Sequence, residues 1–140
     1  MTDRDGGKGG FVVNQTLRQV HAWVAWGFVG AIVIQVFLAG LAIPQLGGNG
    51  SFSTHQGFGY AIGLVALALV IAAVAARAGQ RRILQTLGLL VLYVVQTSLP
   101  SLDPGLSVAA ALHPVGALIL FGLGVWYART VWRERTPVVA

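Results

Sequence analysis

Four long apolar stretches, separated by short polar turns, dominate the pattern of hydrophobic and polar positions along the chain. They cover about residues 20–43, 55–76, 83–99 and 108–128, and none of them contains Asp, Glu, Lys or Arg. A helix needs about 20 mostly apolar residues to cross the hydrocarbon core of a bilayer. The pattern therefore predicts an all-α protein, a transmembrane four-helix bundle that forms one domain over residues 1–140.

Turn residues and small residues refine this picture. Pro44, followed by QLGGNGS, is expected to end the first helix, and Pro100 the third. Gly59 and Gly63 form a G-x-x-x-G pair on the second helix, which predicts close backbone contact with a neighbouring helix. Ala66 is expected to face lipid instead.

Composition excludes most soluble protein classes. Hydrophobic residues make up 56% of the chain and charged residues 9%, whereas a soluble domain carries about 25% charged residues. A disordered chain would need low hydrophobicity and high charge. The chain has no cysteine, which excludes disulfides and cysteine-ligated clusters. The net charge of +5 could suggest nucleic acid, but short basic clusters between apolar runs favour a lipid bilayer as partner, with no nucleic acid.

The basic residues predict the orientation in the membrane. All nine lie in the N-terminal segment, the second loop or the C-terminal segment. The positive-inside rule then places both termini in the cytoplasm, with the loop after Pro44 and the loop around Asp103 outside. Aromatic residues near the cytoplasmic ends are expected to anchor the helices at that interface: Trp23, Trp26, Trp126, Tyr127 and Trp132.

An internal repeat relates the two halves of the chain. The first half reads IVIQ, a turn, and then His55, and the second reads YVVQ, a turn, and then His113. Gln35 precedes His55 by 20 residues and Gln96 precedes His113 by 17. Two parallel-repeated helical hairpins are therefore predicted, related by a pseudo-two-fold axis along the membrane normal. This repeat would place the two histidines at similar depth near the outer face.

Paired histidines on opposed helices can hold haem iron in a bundle core. His55 and His113 are thus the candidate metal ligands, and haem b is the candidate cofactor. Gln35 and Gln96 could reach the haem propionates or the second ring nitrogens of the ligands. Small residues lie one turn deeper than the histidines, where a flat macrocycle would need space: Gly59, Gly116 and Ala117.

Simpler interpretations stand beside the haem hypothesis. A histidine at the mouth of a membrane helix, such as His55, is most often interfacial or pore-facing. His113 lies in the apolar run ALHPVGALIL, where an unpartnered polar group costs a few kcal/mol. His21 lies near the cytoplasmic end of the first helix, and no other histidine lies on that side. We expect His21 to be interfacial or structural, and Gln85 likewise.

A short outer loop leads into a histidine, and the run LHPVGALILFGLGVWYART closes the unit. This pattern resembles one half of haem A synthase. That family has two four-helix halves, each with histidines on its second and fourth helices facing a haem. The chain is also similar to an uncharacterised bacterial family of small four-helix membrane proteins with IQVFLAG and ALHP motifs. Over 17–132 the resemblance implies that His55 and His113 are haem ligands, in a multi-pass protein of the bacterial plasma membrane. The catalytic half of the synthase family carries an acidic residue near the haem, and many synthases have a cysteine pair in an outer loop. This chain has no carboxylate in any span and no cysteine.

Three functions remain open from the sequence. The first is a b-type haem membrane protein for electron transfer or for redox or haem handling. The second is a non-catalytic small subunit or assembly factor of a larger membrane complex, without a cofactor. The third is a small transporter, which the lack of other ionisable residues in the spans disfavours. Whether the chain is an enzyme stays open, and association into a homo-oligomer or a larger complex is possible.

Overall fold

The computed structural model describes residues 5–102 and 107–135, and this part of the chain is helical with no strand. The expected outer loop around Asp103 lies outside the described residues. The elements are four long helices and one 3-10 turn: α1 (Asp5–Ala42), the turn Pro44–Leu46, α2 (Ser53–Ala75), α3 (Gln80–Leu102) and α4 (Ser107–Glu134). Each long helix contains a segment long and apolar enough to span a membrane. The all-α transmembrane bundle is confirmed.

The helices form a four-membered ring. α1 and α3 each pack against both α2 and α4, so that α1 lies diagonally across from α3 and α2 from α4. Short connections make consecutive helices antiparallel neighbours. Side-chain contacts define two ends of the bundle. One, which we call the arginine end, holds His21, Arg82 and Glu134, and the other, the histidine end, holds His55 and His113.

The helix boundaries differ from the sequence expectation, most of all at the start of α1. α1 begins at Asp5 rather than near residue 20, although its membrane-spanning part begins at Asn14. α3 continues through Pro100 to Leu102 instead of ending at the proline. A proline near a helix end removes only one hydrogen bond, so the last turn can continue past it.

The core is built from a narrow stripe on each helix, while large apolar side chains cover the outside. On α2 the buried residues recur every three or four positions, as expected for one helix face: Gly59, Ile62, Ala66, Leu69 and Ala73. The expectation that Ala66 faces lipid is therefore wrong, since its exposed fraction is 2%. Leu64 and Leu118 are among the outward-facing residues, and such side chains suit contact with lipid.

Candidate paired-histidine site

His55 and His113 come together at the histidine end. His55 lies in the first turn of α2 and His113 in the second turn of α4, on diagonally opposite helices. Their ring centroids are 6.3 Å apart and the ring planes are nearly perpendicular, at 83°. Both side chains are half-buried. The structure thus brings together the two histidines that the sequence repeat singled out.

Each imidazole is held through its Nδ1 atom by a backbone carbonyl of the preceding helix. His55 Nδ1 lies 3.1 Å from the carbonyl oxygen of Gln35, and His113 Nδ1 lies 2.8 Å from that of Gln96. A carbonyl oxygen only accepts hydrogen bonds, so both Nδ1 atoms carry the proton and donate it. The Nε2 atoms then carry the lone pairs, which is the tautomer that a histidine ligand of a metal needs.

The carbonyl that holds His113 is left free by a proline. In a regular helix the carbonyl of Gln96 would accept a bond from the N–H of residue 100, four positions later. Residue 100 is Pro100, which has no N–H to donate. His113 Nδ1 takes the vacant place. The proline that was expected only to end α3 therefore helps to orient a site residue.

The side chain of Gln35 lies beside the imidazole of His55, whereas Gln96 contacts His113 through its backbone carbonyl. Gln35 Nε2 donates to the backbone carbonyl of His55 at 2.8 Å and lies 3.3 Å from His55 Nε2. The amide of Gln35 therefore caps the lone pair, while its backbone holds the second ring nitrogen. Gln96 is 6% exposed. The Oε1 atoms of both glutamines are buried and have no hydrogen-bond partner among the described residues.

Two glycines make room for these glutamines. A Cβ atom on Gly59 would lie 3.1 Å from Gln35 Nε2, and one on Gly116 would lie 2.8 Å from Gln96 Cβ. Both glycines thus contact a repeat-related glutamine rather than open space. Ala117, the third small residue singled out, is half-buried.

Tyr93 is a neighbour of the site that the sequence did not indicate. Its hydroxyl donates a buried hydrogen bond to the backbone carbonyl of Gly59. Its ring lies against Gly63, where an added Cβ would be 3.0 Å from Tyr93 Cε1. The G-x-x-x-G pair therefore lies against two side chains, those of Gln35 and Tyr93, and not in the expected close backbone contact with a neighbouring helix. Each glycine of the pair accommodates a large polar side chain from a different neighbouring helix, Gln35 from α1 and Tyr93 from α3. Such a match between glycines and large polar residues is the sequence signal that could have indicated Tyr93.

The histidine end brings together two imidazoles. In the part of the chain that is described, no group of three or more His, Cys, Asp or Glu residues could hold a metal ion. A structural zinc site usually needs four protein ligands and a catalytic one three.

His21 belongs to a separate buried contact at the arginine end. Its side chain is 3% exposed, and its Nε2 atom shares a hydrogen bond of 2.8 Å with the hydroxyl of Tyr127. Tyr127 is 1% exposed, so the expectation that it anchors the interface is wrong. The structure gives His21 a structural partner on α4 and does not bring it to the other histidines.

An ion pair and an aromatic cluster complete the arginine end. Arg82 of α3 donates from Nε to Glu134 of α4 at 3.0 Å, and its Nη1 donates to Gln85 Oε1 at 2.8 Å. Trp23 meets Trp132 edge to face, with ring centroids 4.9 Å apart. These contacts tie α1, α3 and α4 together, and Gln85 has the structural role expected of it.

Comparisons with known proteins identify a similarity but no function. A search of curated proteins and one of solved structures return no match. The resemblance to haem A synthase thus has no counterpart in these comparisons. Residues 35–101 match the model of a family of unknown function (DUF6220). The matched segment contains Gln35, His55 and Gln96 but not His113. The similarity to that family therefore covers three of these four site residues.

Proposed function

We propose that the chain binds a b-type haem between His55 and His113 and serves electron transfer or redox handling in the membrane. One observation carries this proposal. Two imidazoles from diagonally opposite helices lie next to each other with nearly perpendicular planes, and each donates its Nδ1–H to a backbone carbonyl, so that Nε2 carries the lone pair. Metal-bound histidines usually donate their other ring N–H to such a carbonyl or to a carboxylate.

The two imidazoles lie next to each other, with ring centroids 6.3 Å apart, so both could hold the same bound group. A porphyrin supplies four nitrogens, so the iron needs only two ligands from the protein. The donor set of two neutral imidazoles therefore fits haem better than a bare metal ion.

Gln35 has to move for the ligand to bind. Its Nε2 lies against the lone pair of His55, and its Oε1 lacks a partner among the described residues. The same Nε2 also donates to the backbone carbonyl of His55, and each of these two hydrogen bonds is worth about 1 kcal/mol. Rotation of this side chain would open His55 Nε2 while the backbone carbonyl of Gln35 still holds Nδ1. The repeat-related Gln96 likewise holds His113 through its backbone.

The surroundings of the pair favour electron transfer over catalysis. His55 and His113 would hold the haem, which when bound would supply one-electron exchange. Catalysis would need a positioned acid, base or nucleophile beside the site. The one carboxylate whose side chain is described is Glu134, at the end of α4, and it is paired with Arg82 at the arginine end. The chain's own contribution is to orient two imidazoles in an apolar bundle.

The test is the absorbance of protein purified from haem-replete cells. We expect Soret and visible bands that change on reduction, and their loss or alteration in His55→Ala and in His113→Ala. His113→Gly with added imidazole should regain part of the wild-type spectrum, because free imidazole can replace the missing ligand. His21→Ala and Gln96→Leu are matched controls that should keep the haem. His21 lies at the arginine end, and Gln96→Leu leaves the backbone carbonyl that holds His113 in place.

Two results would contradict the proposal. A folded, colourless protein that takes up no added haem would favour the small subunit or assembly factor. Unchanged spectra in both His55→Ala and His113→Ala would show that the iron is held elsewhere.

A further inference from the structure

A groove runs along the outward face of α4 at the arginine end. Its volume is about 330 Å³, and it is lined by Gly122, Val125, Trp126, Arg129, Thr130 and Arg133. Four of these residues recur at intervals of three or four positions and so lie on one helix face: Gly122, Trp126, Arg129 and Arg133. The groove therefore changes from apolar to cationic along a single line toward the end of the helix.

The two arginines of this groove carry uncompensated charge. Arg129 and Arg133 are exposed, and within the described residues neither forms an ion pair. Their neighbours are engaged elsewhere: Glu134 is bound by Arg82, and Arg135 stacks on Trp132 with its guanidinium carbon 3.3 Å from the ring centroid. One helical turn separates Arg129 from Arg133, so both guanidinium groups can reach one anion.

The apolar end of the groove, at Gly122, is open and leaves room for an alkyl chain. A Cβ atom on Gly122 would meet nothing within 4 Å, so the helix surface is open there. Trp126, 49% exposed, lies between this gap and the arginines. Tryptophan is enriched where acyl chains meet headgroups. From Gly122 to Arg133 the helix rises by about 16 Å, close to the thickness of one leaflet of hydrocarbon, about 15 Å.

We propose that this groove binds one anionic glycerophospholipid, with its phosphodiester between Arg129 and Arg133 and an acyl chain against Gly122. The planar guanidinium matches the oxygens of a phosphate and can bind two of them at once. The two unpaired positive charges favour a lipid with net negative charge over a zwitterionic one. Free phosphate would gain nothing from the apolar gap, which is why a lipid is the occupant. The proposal is independent of haem binding.

The test measures which lipids stay with the protein. The full chain is placed in nanodiscs of phosphatidylcholine with a minority of phosphatidylglycerol, released into mild detergent, and weighed by native mass spectrometry. We expect wild-type protein to retain one phosphatidylglycerol in preference to phosphatidylcholine. Arg129→Gln with Arg133→Gln should lower that preference by about tenfold or more. Arg18→Gln with Arg77→Gln removes the same charge from exposed positions at the same end and should leave the preference unchanged.

A second pair of variants tests the groove without changing charge. Gly122→Leu fills the gap and should weaken retention, whereas Gly30→Leu adds the same side chain to an open position on α1 and should not. If the Arg18 and Arg77 variant lost the preference for phosphatidylglycerol as strongly as the Arg129 and Arg133 variant, general electrostatic attraction would explain the effect. That result would overturn the proposal. Retention unaffected by Gly122→Leu would also overturn it, as would displacement of the lipid by millimolar inorganic phosphate.

Discussion

His21 and Tyr127 join the first and last helices of the bundle through a buried hydrogen bond of 2.8 Å. The residues are 106 positions apart in the chain. Their rings are tilted, with centroids 5.8 Å apart, so the contact includes both packing and polar atoms. Because α1 and α4 are not consecutive, this bond helps to close the ring of four helices.

The bond predicts coupling between the two side chains in stability. Tyr127→Phe removes the hydroxyl and leaves His21 Nε2 without that partner, a loss that costs about 1–3 kcal/mol for a buried group. His21→Leu removes the other side. A double-mutant cycle measured by unfolding in mixed micelles should give a coupling free energy of about 0.5–2 kcal/mol. Additive effects of the two changes would show that the bond contributes nothing.

The sequence could predict the helices but not which face of each helix is buried. Apolar runs and their lengths determine the four spans, because few other sequences cross a bilayer. Lipid and the protein core are both apolar, however, so hydrophobic periodicity hardly separates Ala66 or Tyr127 in the core from residues that face lipid. The orientation of these side chains depends on contacts between distant segments. That is why Ala66 and Tyr127 were assigned to the wrong surroundings.

Packing along α2 predicts which substitutions the bundle tolerates. Leu at Gly59, Gly63 or Ala66 should destabilise the protein, since each position lies against a neighbouring helix. Overpacking of this kind costs about 1–3 kcal/mol per site. Ala68→Leu is the matched control, because Ala68 lies on the same helix and is exposed. The measurement is the thermal midpoint in detergent. A fall for Ala68→Leu as large as that for Ala66→Leu would contradict the buried stripe.

The charge pattern predicts that the arginine end is cytoplasmic. Because the chain has no cysteine, single cysteines can report which side a loop occupies. Gln45→Cys, in the exposed 3-10 turn at the histidine end, should react with an impermeant maleimide in intact cells. Gln80→Cys at the start of α3 should react only after permeabilisation. The reverse pattern would overturn the orientation.

The turn at the histidine end limits where such a label can be placed. A Cβ atom on Gly48 would lie 2.4 Å from the carbonyl oxygen of Leu41. The N–H of Gly48 also donates to the carbonyl of Ile43 at 2.9 Å. A larger residue or an insertion at Gly48 would therefore disturb the end of α1, whereas Gln45 is exposed.

The paired histidines were found from the sequence, but the atoms that hold them were not. The repeat of a glutamine, a turn and a histidine predicted the pairing of His55 with His113. It suggested that the glutamine side chains act on the ligands, whereas the backbone carbonyls hold the rings. Side-chain identity carries no signal for a backbone acceptor. A proline four residues after Gln96 is the one feature that indicates a free carbonyl at this point.

Pro100 should therefore influence the orientation of His113. Pro100→Ala supplies an N–H that can bond to the carbonyl of Gln96 within α3, in competition with His113 Nδ1. The helix should gain stability, because proline is the poorest helix former, while the imidazole becomes less firmly held. In protein that binds haem, we expect Pro100→Ala to keep the haem and to shift its reduction potential, because the hydrogen bond to a ligand's second nitrogen sets its basicity. The measurement is a potentiometric titration. Pro114→Ala in α4 is the control, because the carbonyl that this proline leaves without an N–H is that of residue 110 and not that of Gln96. Equal potentials for wild type and Pro100→Ala would show that the freed carbonyl does not control the ligand.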